Sequence, residues 1–262
     1  MPPDMNITDS SFHIGAGLAL PEDEVQLWRV DLDAIRGEES RWQGRLSPDE
    51  SKRALRFHFP SDRQRFVASR ALLRTILAAY LEGDAVNLEF SYSKKEKPSL
   101  AGGHATSGIT FNLSHSGGIA LYAFTRGREI GVDVEQVRGD FDVEPIARRF
   151  FSAQEQIHLN DLPKAERVEA FFRCWTRKEA YLKATGSGLS LPLSQFDVSL
   201  GAGETNALLA TRPDASEAER WVLREVPGGV GYSAALCVSG RGWRLNHWSE
   251  RATSRSSEVE LL

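Results

Sequence analysis

Cysteine is nearly missing from this chain: only Cys174 and Cys237 occur among 262 residues. So low a count excludes a disulfide-stapled scaffold and a cysteine-built zinc site, and it fits a reducing compartment. No apolar run approaches the ~18 residues needed to span a bilayer, so no membrane association is expected. The opening Met1-Pro2-Pro3-Asp4 lacks the basic stretch and apolar centre of a secretory leader, and the expected location is the cytoplasm. Positive charge is not in excess. Lys and Arg number 32 against 36 Asp and Glu, a net −4 at neutral pH, which argues against a nucleic-acid partner. Core-forming material is plentiful, at 41% hydrophobic residues, enough for one large domain or two small ones.

Helix and strand signals alternate along the chain. Val25–Val30 reads as a strand. Ser47-Pro48-Asp49-Glu50 is a helix start, with Ser at the cap, Pro at the first position and Glu three residues after the cap. That helix is expected to reach about Phe57, and a longer one spans about Ser61 to Leu81, ended by Gly83-Asp84. Ile109–Leu113, Ile119–Phe124 and Glu129–Glu135 read as strands. The breaks at Gly117-Gly118 and Arg126-Gly127-Arg128 suggest two successive antiparallel hairpins. Ser152-Ala153-Gln154-Glu155 repeats the cap signal. A second long helix follows over Ala165–Thr185, closed by Gly186 and Gly188. Phe196–Leu200, Trp221–Val226 and Tyr232–Val238 are further strands. Residues 1–24 look irregular, and the aperiodic, polar residues 249–262 are expected to form a disordered tail.

Three elements recur in the same order. Ser47…Glu50 matches Ser152…Glu155, Arg70–Arg74 matches Glu179–Lys183, and Gly118–Ala123 matches Gly231–Leu236. An internal duplication follows: an α+β fold of two similar halves about a pseudo-twofold axis, each a small, mostly antiparallel sheet packed with a long helix. The halves are expected at 1–127 and 128–248, and ligand sites favour such junctions.

Ile130-Gly131-Val132-Asp133-Val134-Glu135 is the sharpest local pattern. Residues two apart on a strand share a face, so Asp133 and Glu135 point together. Paired carboxylates repel unless a cation or a shared proton intervenes, and such hard oxygens suit Mg²⁺. A solvated acidic strand face is the plainer alternative. Trp175, Glu179 and Lys183 lie at i, i+4 and i+8 of the second long helix and share a face. They make either an ordinary helix-stabilising pair or a third carboxylate with an anion-facing lysine. Phe111-Asn112-Leu113-Ser114-His115-Ser116-Gly117-Gly118 ends a strand in small polar residues, the material of an anion loop. Residues 45–74 hold eight bases against three acids, +5 locally, either two solvated helix faces or a phosphate surface.

In order, these motifs resemble the Sfp-type 4′-phosphopantetheinyl transferases. The resemblance runs from about Ser47 to Phe196. It is carried by Lys97-Pro98, Phe111–Ser116, Ile130–Glu135 and Phe172-x-x-Trp175-Thr176-x-Lys178-Glu179-x-x-x-Lys183, the last continuing into Gly186-x-Gly188-Leu189-Ser190-x-Pro192-Leu193. It implies an enzyme that moves the 4′-phosphopantetheine arm of coenzyme A onto a serine of an apo acyl, peptidyl or aryl carrier protein. Adenosine 3′,5′-bisphosphate would be released. It also implies a pseudo-dimeric fold, and the 262-residue length with the internal duplication favours a monomer. Asp133, Glu135 and Glu179 would hold Mg²⁺, and Asp133, Glu179 and Lys183 would serve catalysis. Lys183 and His115 would contact the diphosphate. Arg53, Arg65, Arg70, Lys97 and Ser114 would surround the 3′-phosphate and adenine. A non-catalytic coenzyme A- or nucleotide-binding relative is the alternative. Neither cysteine lies in a nucleophile motif, and Cys174 is expected in the core.

Overall fold

The computed structural model describes residues 14, 17–35, 42–140, 142–212 and 214–249. The expected tail falls outside these residues from 250 onward, as does most of the irregular segment before residue 17.

Two sheets stack face to face between two long helices. In the first half, β1 (Glu24–Asp31), α1 (Pro48–Ala54), α2 (Pro60–Leu81), β2 (Phe90–Tyr92), β3 (Pro98–Leu100), β4 (Ile109–Ser116) and β5 (Ile119–Arg126) follow one another. The second half contains β6 (Ile130–Gln136), α3 (Glu144–Phe150), α4 (Ala153–Asp161), α5 (Lys164–Thr185), β7 (Phe196–Val198), β8 (Leu208–Thr211), α6 (Glu217–Arg220), β9 (Trp221–Glu225) and β10 (Tyr232–Ser239). The first sheet runs β1-β5-β4 and the second β6-β10-β9, so each places its last strand between its first and its middle one. All these pairings are antiparallel. The last strand, β11 (Arg244–Ser249), returns to pair in parallel with β1. No strand is expected there from the sequence.

Strand alternation sorts the core into three layers. Trp28 and Val30 of β1, with Ala120, Tyr122 and Phe124 of β5, face α2. Their neighbours Val25, Leu27, Ile119, Leu121 and Ala123 face the other sheet. There they meet Ile130, Val132 and Val134 of β6 and Ala234, Leu236 and Val238 of β10. Ala235 and Cys237 turn the opposite way, toward α5. The strands are therefore apolar on both faces, and an acid on β6 can only face α5.

One expectation fails. The break at Arg126-Gly127-Arg128 does not close a hairpin: β6 leaves β5 and pairs with β10. The reason is duplication, since β6 opens the second half as β1 opens the first. The long helices also correct the repeat register. Each has 22 residues and ends at a left-handed cap, Glu82 or Gly186, which aligns Arg74 with Lys178. Matching Arg70–Arg74 to Glu179–Lys183 is thus out of register.

That alignment exposes a buried lock made twice. Glu50 caps α1 and accepts from Arg74 Nε at 2.6 Å. The Arg74 guanidinium also donates to the carbonyls of Ala85 and Leu88 and lies over Phe90. Glu155 caps α4 and accepts from Lys178 Nζ at 2.7 Å. Lys178 likewise donates to the carbonyls of Leu193 and Phe196 and lies over Phe196. Breaking one partner of a buried pair strands the other charge. Glu155→Ala should therefore cost about 3–5 kcal/mol, read as a lowered urea midpoint; a loss typical of an exposed cap would show that the lock is not a stability element.

Candidate active site

The site lies where β4 of one sheet runs beside β6 of the other. No backbone ladder joins these strands, and side chains do so instead. Asn112, Ser114 and Ser116 alternate along β4 and share one face. Asn112 Oδ1 accepts from the Val132 amide at 2.8 Å. Ser114 Oγ donates to Asp133 Oδ1 at 2.9 Å, and Ser116 Oγ to Glu135 Oε2 at 2.7 Å.

From the other side α5 closes on β6. A Cβ at Gly131 would lie 2.2 Å from the Ala180 carbonyl and 2.3 Å from the Ala184 amide. Only glycine admits the helix this close. At that distance Lys183 Nζ reaches Asp133 Oδ1 at 2.7 Å and Ser114 Oγ at 2.9 Å. Glu179 sits one turn back on the same face and feels Asp133, Lys183 and Glu135 electrostatically. Trp175, another turn back, packs with Phe150 and Phe171 instead.

Burial dominates the electrostatics. Desolvation raises the Glu179 carboxyl above its usual value, with further repulsion from Asp133 and Glu135 and partial relief from Lys183. Desolvation also raises Glu135, against the Ser116 hydrogen bond and with help from Asp133. The His115 imidazole is pushed down, first by desolvation and then by Lys183 and Arg65. Asp133 is 3% exposed, and its Oδ2 is buried without a hydrogen-bond partner.

The cluster opens into a cleft of about 900 Å³ between the halves. Arg53, Arg56, Arg70 and Lys95 line it, together with Ser114, His115, Glu179 and Lys183. Of the expected site residues, Arg53, Arg70, Lys97, Ser114, His115, Glu179 and Lys183 line this one cleft, with Asp133 and Glu135 directly behind. Arg53 is exposed and 3.8 Å from Glu96. Arg70 donates to Glu50 at 2.8 Å and to the Tyr92 hydroxyl. Arg65 does not line the cleft; it forms a two-pronged pair with Asp33 at 2.8 Å. The Lys97 ammonium donates to the carbonyls of Ile130, Lys183 and Ala184, and burial lowers its pKa. From the sequence, Asn112 and Ser116 belong only to a general anion loop and Arg56 only to the eight bases of residues 45–74; neither reading pairs them with the carboxylates or the cleft. The period-two Asn112-x-Ser114-x-Ser116 pattern is the signal that identifies the first two. Cys174 is fully buried in the core, and burial pushes its thiol well up.

Among the described residues, no three His, Cys, Asp or Glu side chains stand close enough to form a ready metal cage. The donor chemistry nonetheless suits a hard cation. Asp133 Oδ2 is an orphaned carboxylate oxygen, and Glu135 and Glu179 are both raised partly by its negative charge. Nor is any helix of the described residues long and apolar enough to cross a membrane.

Fold and cleft define an α+β duplicated protein with a groove that brings several bases, a carboxylate and a lysine together, suited to a multiply charged anion. The model of the 4′-phosphopantetheinyl transferase superfamily matches residues 129–237, and that of the 4′-phosphopantetheinyl transferase N-terminal region matches residues 37–126. The chain is 42% identical over 231 residues to 4′-phosphopantetheinyl transferase HetI of Nostoc sp., covering 88% of this chain and 94% of that one. It is 34% identical over 174 residues to 4′-phosphopantetheinyl transferase Sfp of Bacillus subtilis, covering 65% and 74%. The chain belongs to the 4′-phosphopantetheinyl transferase family and is a transferase.

Two outcomes follow from this geometry. Gly131→Ala should force α5 off β6, costing about 1–3 kcal/mol of stability and most of the turnover; unchanged turnover would show that this close approach does not set the site. Glu179 binds its proton more tightly folded than unfolded, so its contribution to stability falls as pH rises between the unfolded and folded pKa values. Glu179→Gln in EDTA should therefore raise the melting temperature at neutral pH. The gain should fade as pH drops through the raised folded value, where the wild-type carboxyl protonates itself. A gain independent of pH would contradict the electrostatic account.

Proposed function

We propose that this enzyme transfers the 4′-phosphopantetheine arm of coenzyme A to a serine of an apo acyl, peptidyl or aryl carrier protein and releases adenosine 3′,5′-bisphosphate. One observation carries the reading: Lys183 spans Asp133 and Ser114 beside Glu179, in the lining of a basic cleft. An extended donor with phosphates at two places matches that cleft, with the 3′-phosphate toward exposed Arg53 and Arg56 and the diphosphate toward His115 and Lys183. Forked guanidinium donors suit the first task, and Lys183 adds charge where phosphorus–oxygen cleavage increases negative charge.

The acceptor hydroxyl needs a base. Glu179 lines the cleft, and its raised pKa makes it a stronger base than an ordinary carboxylate. In this reading it takes the serine proton, directly or through a water, and Lys183 neutralises the departing phosphate. Ser114 and Ser116 hold Asp133 and Glu135 in place by donating to them. Asp133, Glu135 and Glu179 are the side chains that would hold Mg²⁺. The ion supplies charge neutralisation and polarisation of the diphosphate when bound. No covalent enzyme intermediate is invoked, since both cysteine thiols are buried away from the cleft.

Incubation with coenzyme A, Mg²⁺ and a panel of apo carriers should add one phosphopantetheinyl group to some of them, read by intact mass. Asp133→Ala and Glu135→Ala should abolish the gain, as should EDTA on the wild type, while circular dichroism stays unchanged. Full activity in either variant or in EDTA would sink the metal assignment, and no modified carrier in the panel would count against the acceptor class.

A further inference from the structure

Lys97 lies on the first half of the molecule, yet its side chain ends in the second. It follows the β2–β3 turn, where its own amide donates to Ser93 Oγ and its carbonyl accepts from the Ser93 amide. Pro98 comes next and restricts Lys97 to extended backbone. The hairpin is anchored in the first-half core through Phe90, Leu100 and Phe111. From this base Lys97 Nζ donates to Lys183 O at 2.6 Å, to Ile130 O at 2.9 Å and to Ala184 O at 3.4 Å.

These acceptors have a specific place in the fold. Lys183 and Ala184 belong to the last turn of α5, where helix carbonyls lack intrahelical partners and negative dipole charge accumulates. Ile130 opens β6, one residue before the Gly131 contact with α5. The ammonium thus occupies the notch between the end of the helix and the start of the strand. One of its bonds is to the main chain of Lys183, whose side chain holds Asp133.

We propose that Lys97 is a positioning residue. It clasps the last turn of α5 to β6 and so sets where Lys183 meets Asp133 and Ser114, and it does not bind the 3′-phosphate of coenzyme A. An ammonium has three N–H donors, and three main-chain carbonyls take them. Lys183 differs in this respect: beside the Val132 carbonyl at 3.3 Å, it donates to two side chains, Asp133 and Ser114. The inference rests on the reading that Lys183 serves the transfer.

The test compares Lys97→Met and Lys97→Arg with wild type, using coenzyme A and 3′-dephospho-coenzyme A as donors. Lys97→Met should lower kcat by roughly 10- to 100-fold, the effect of a displaced catalytic group, and by the same factor with both donors. KM for coenzyme A should change little. Lys97→Arg, which keeps charge and donors, should recover much of kcat. In a Lys183→Ala background Lys97→Met should add little further loss, since it acts through Lys183. Should Lys97→Met unfold, Lys97→Gln keeps two donors and serves for the same comparison. A KM increase confined to coenzyme A would assign Lys97 to the 3′-phosphate and overturn the inference, as would wild-type kcat in Lys97→Met. Wild-type turnover in Lys183→Ala would instead overturn the reading on which the inference rests.

Discussion

The seam between β4 and β6 is what the functional architecture hangs on. Adjacent strands ordinarily join through main-chain hydrogen bonds. Here the edge strands of two stacked sheets run side by side, and Asn112, Ser114 and Ser116 join them. The last two donate to carboxylates that would otherwise repel each other in a partly dry environment. The same bonds that hold the halves together therefore hold Asp133 and Glu135 in place. Lys183 completes the arrangement by approaching Asp133 from α5, which Gly131 allows. Structure and site are one set of contacts at this seam.

Duplication explains the frame but not the chemistry. The buried lock of a capping glutamate, a helix cation and an aromatic ring is built in both halves. The acidic face is not. Across the central strands, Trp28 pairs with Tyr122 and Val30 with Ala120 in the first half. The equivalent positions of the second half pair Asp133 with Ala235 and Glu135 with Ser233. Where one half buries a tryptophan and a valine against its helix, the other carries two acids. The long helices diverge in step, with Thr75 and Ala79 aligned to Glu179 and Lys183. One copy keeps a plain apolar core, and the other trades part of that core for a charged cleft. The cost of burying those acids shows in the raised carboxyl pKa values of Glu135 and Glu179.

Burial and pairing divide the cations into different kinds. Arg74 and Lys178 are fully buried and bound to glutamates, so they act as structure. Arg65 is committed to Asp33. Arg53 and Arg56 stay exposed on the rim. The segment with eight bases is thus neither one phosphate surface nor a pair of solvated faces. Burial decides which of its members remain available to an anion.

Much of this was legible in the sequence because it rests on local rules. Capping boxes, helix lengths, strand periodicity and the shared face of Asp133 and Glu135 depend only on residues a few positions apart. So does the shared helix face of Glu179 and Lys183, and the recurrence of such signals revealed the duplication. Which strands pair was not local. β6 leaves its neighbour β5 for β10, and β11 joins β1 from the far end of the chain, because apolar faces on both sides of each strand are satisfied only by stacking two sheets. Nor could charge counting show that Glu50 would take up Arg70 and Arg74, or that three carbonyls would take up Lys97. The type of chemistry was written in residue identities and spacing. Which charges stay free to perform it was decided by tertiary packing, because a charge's partner and its exposure depend on groups far away in the chain.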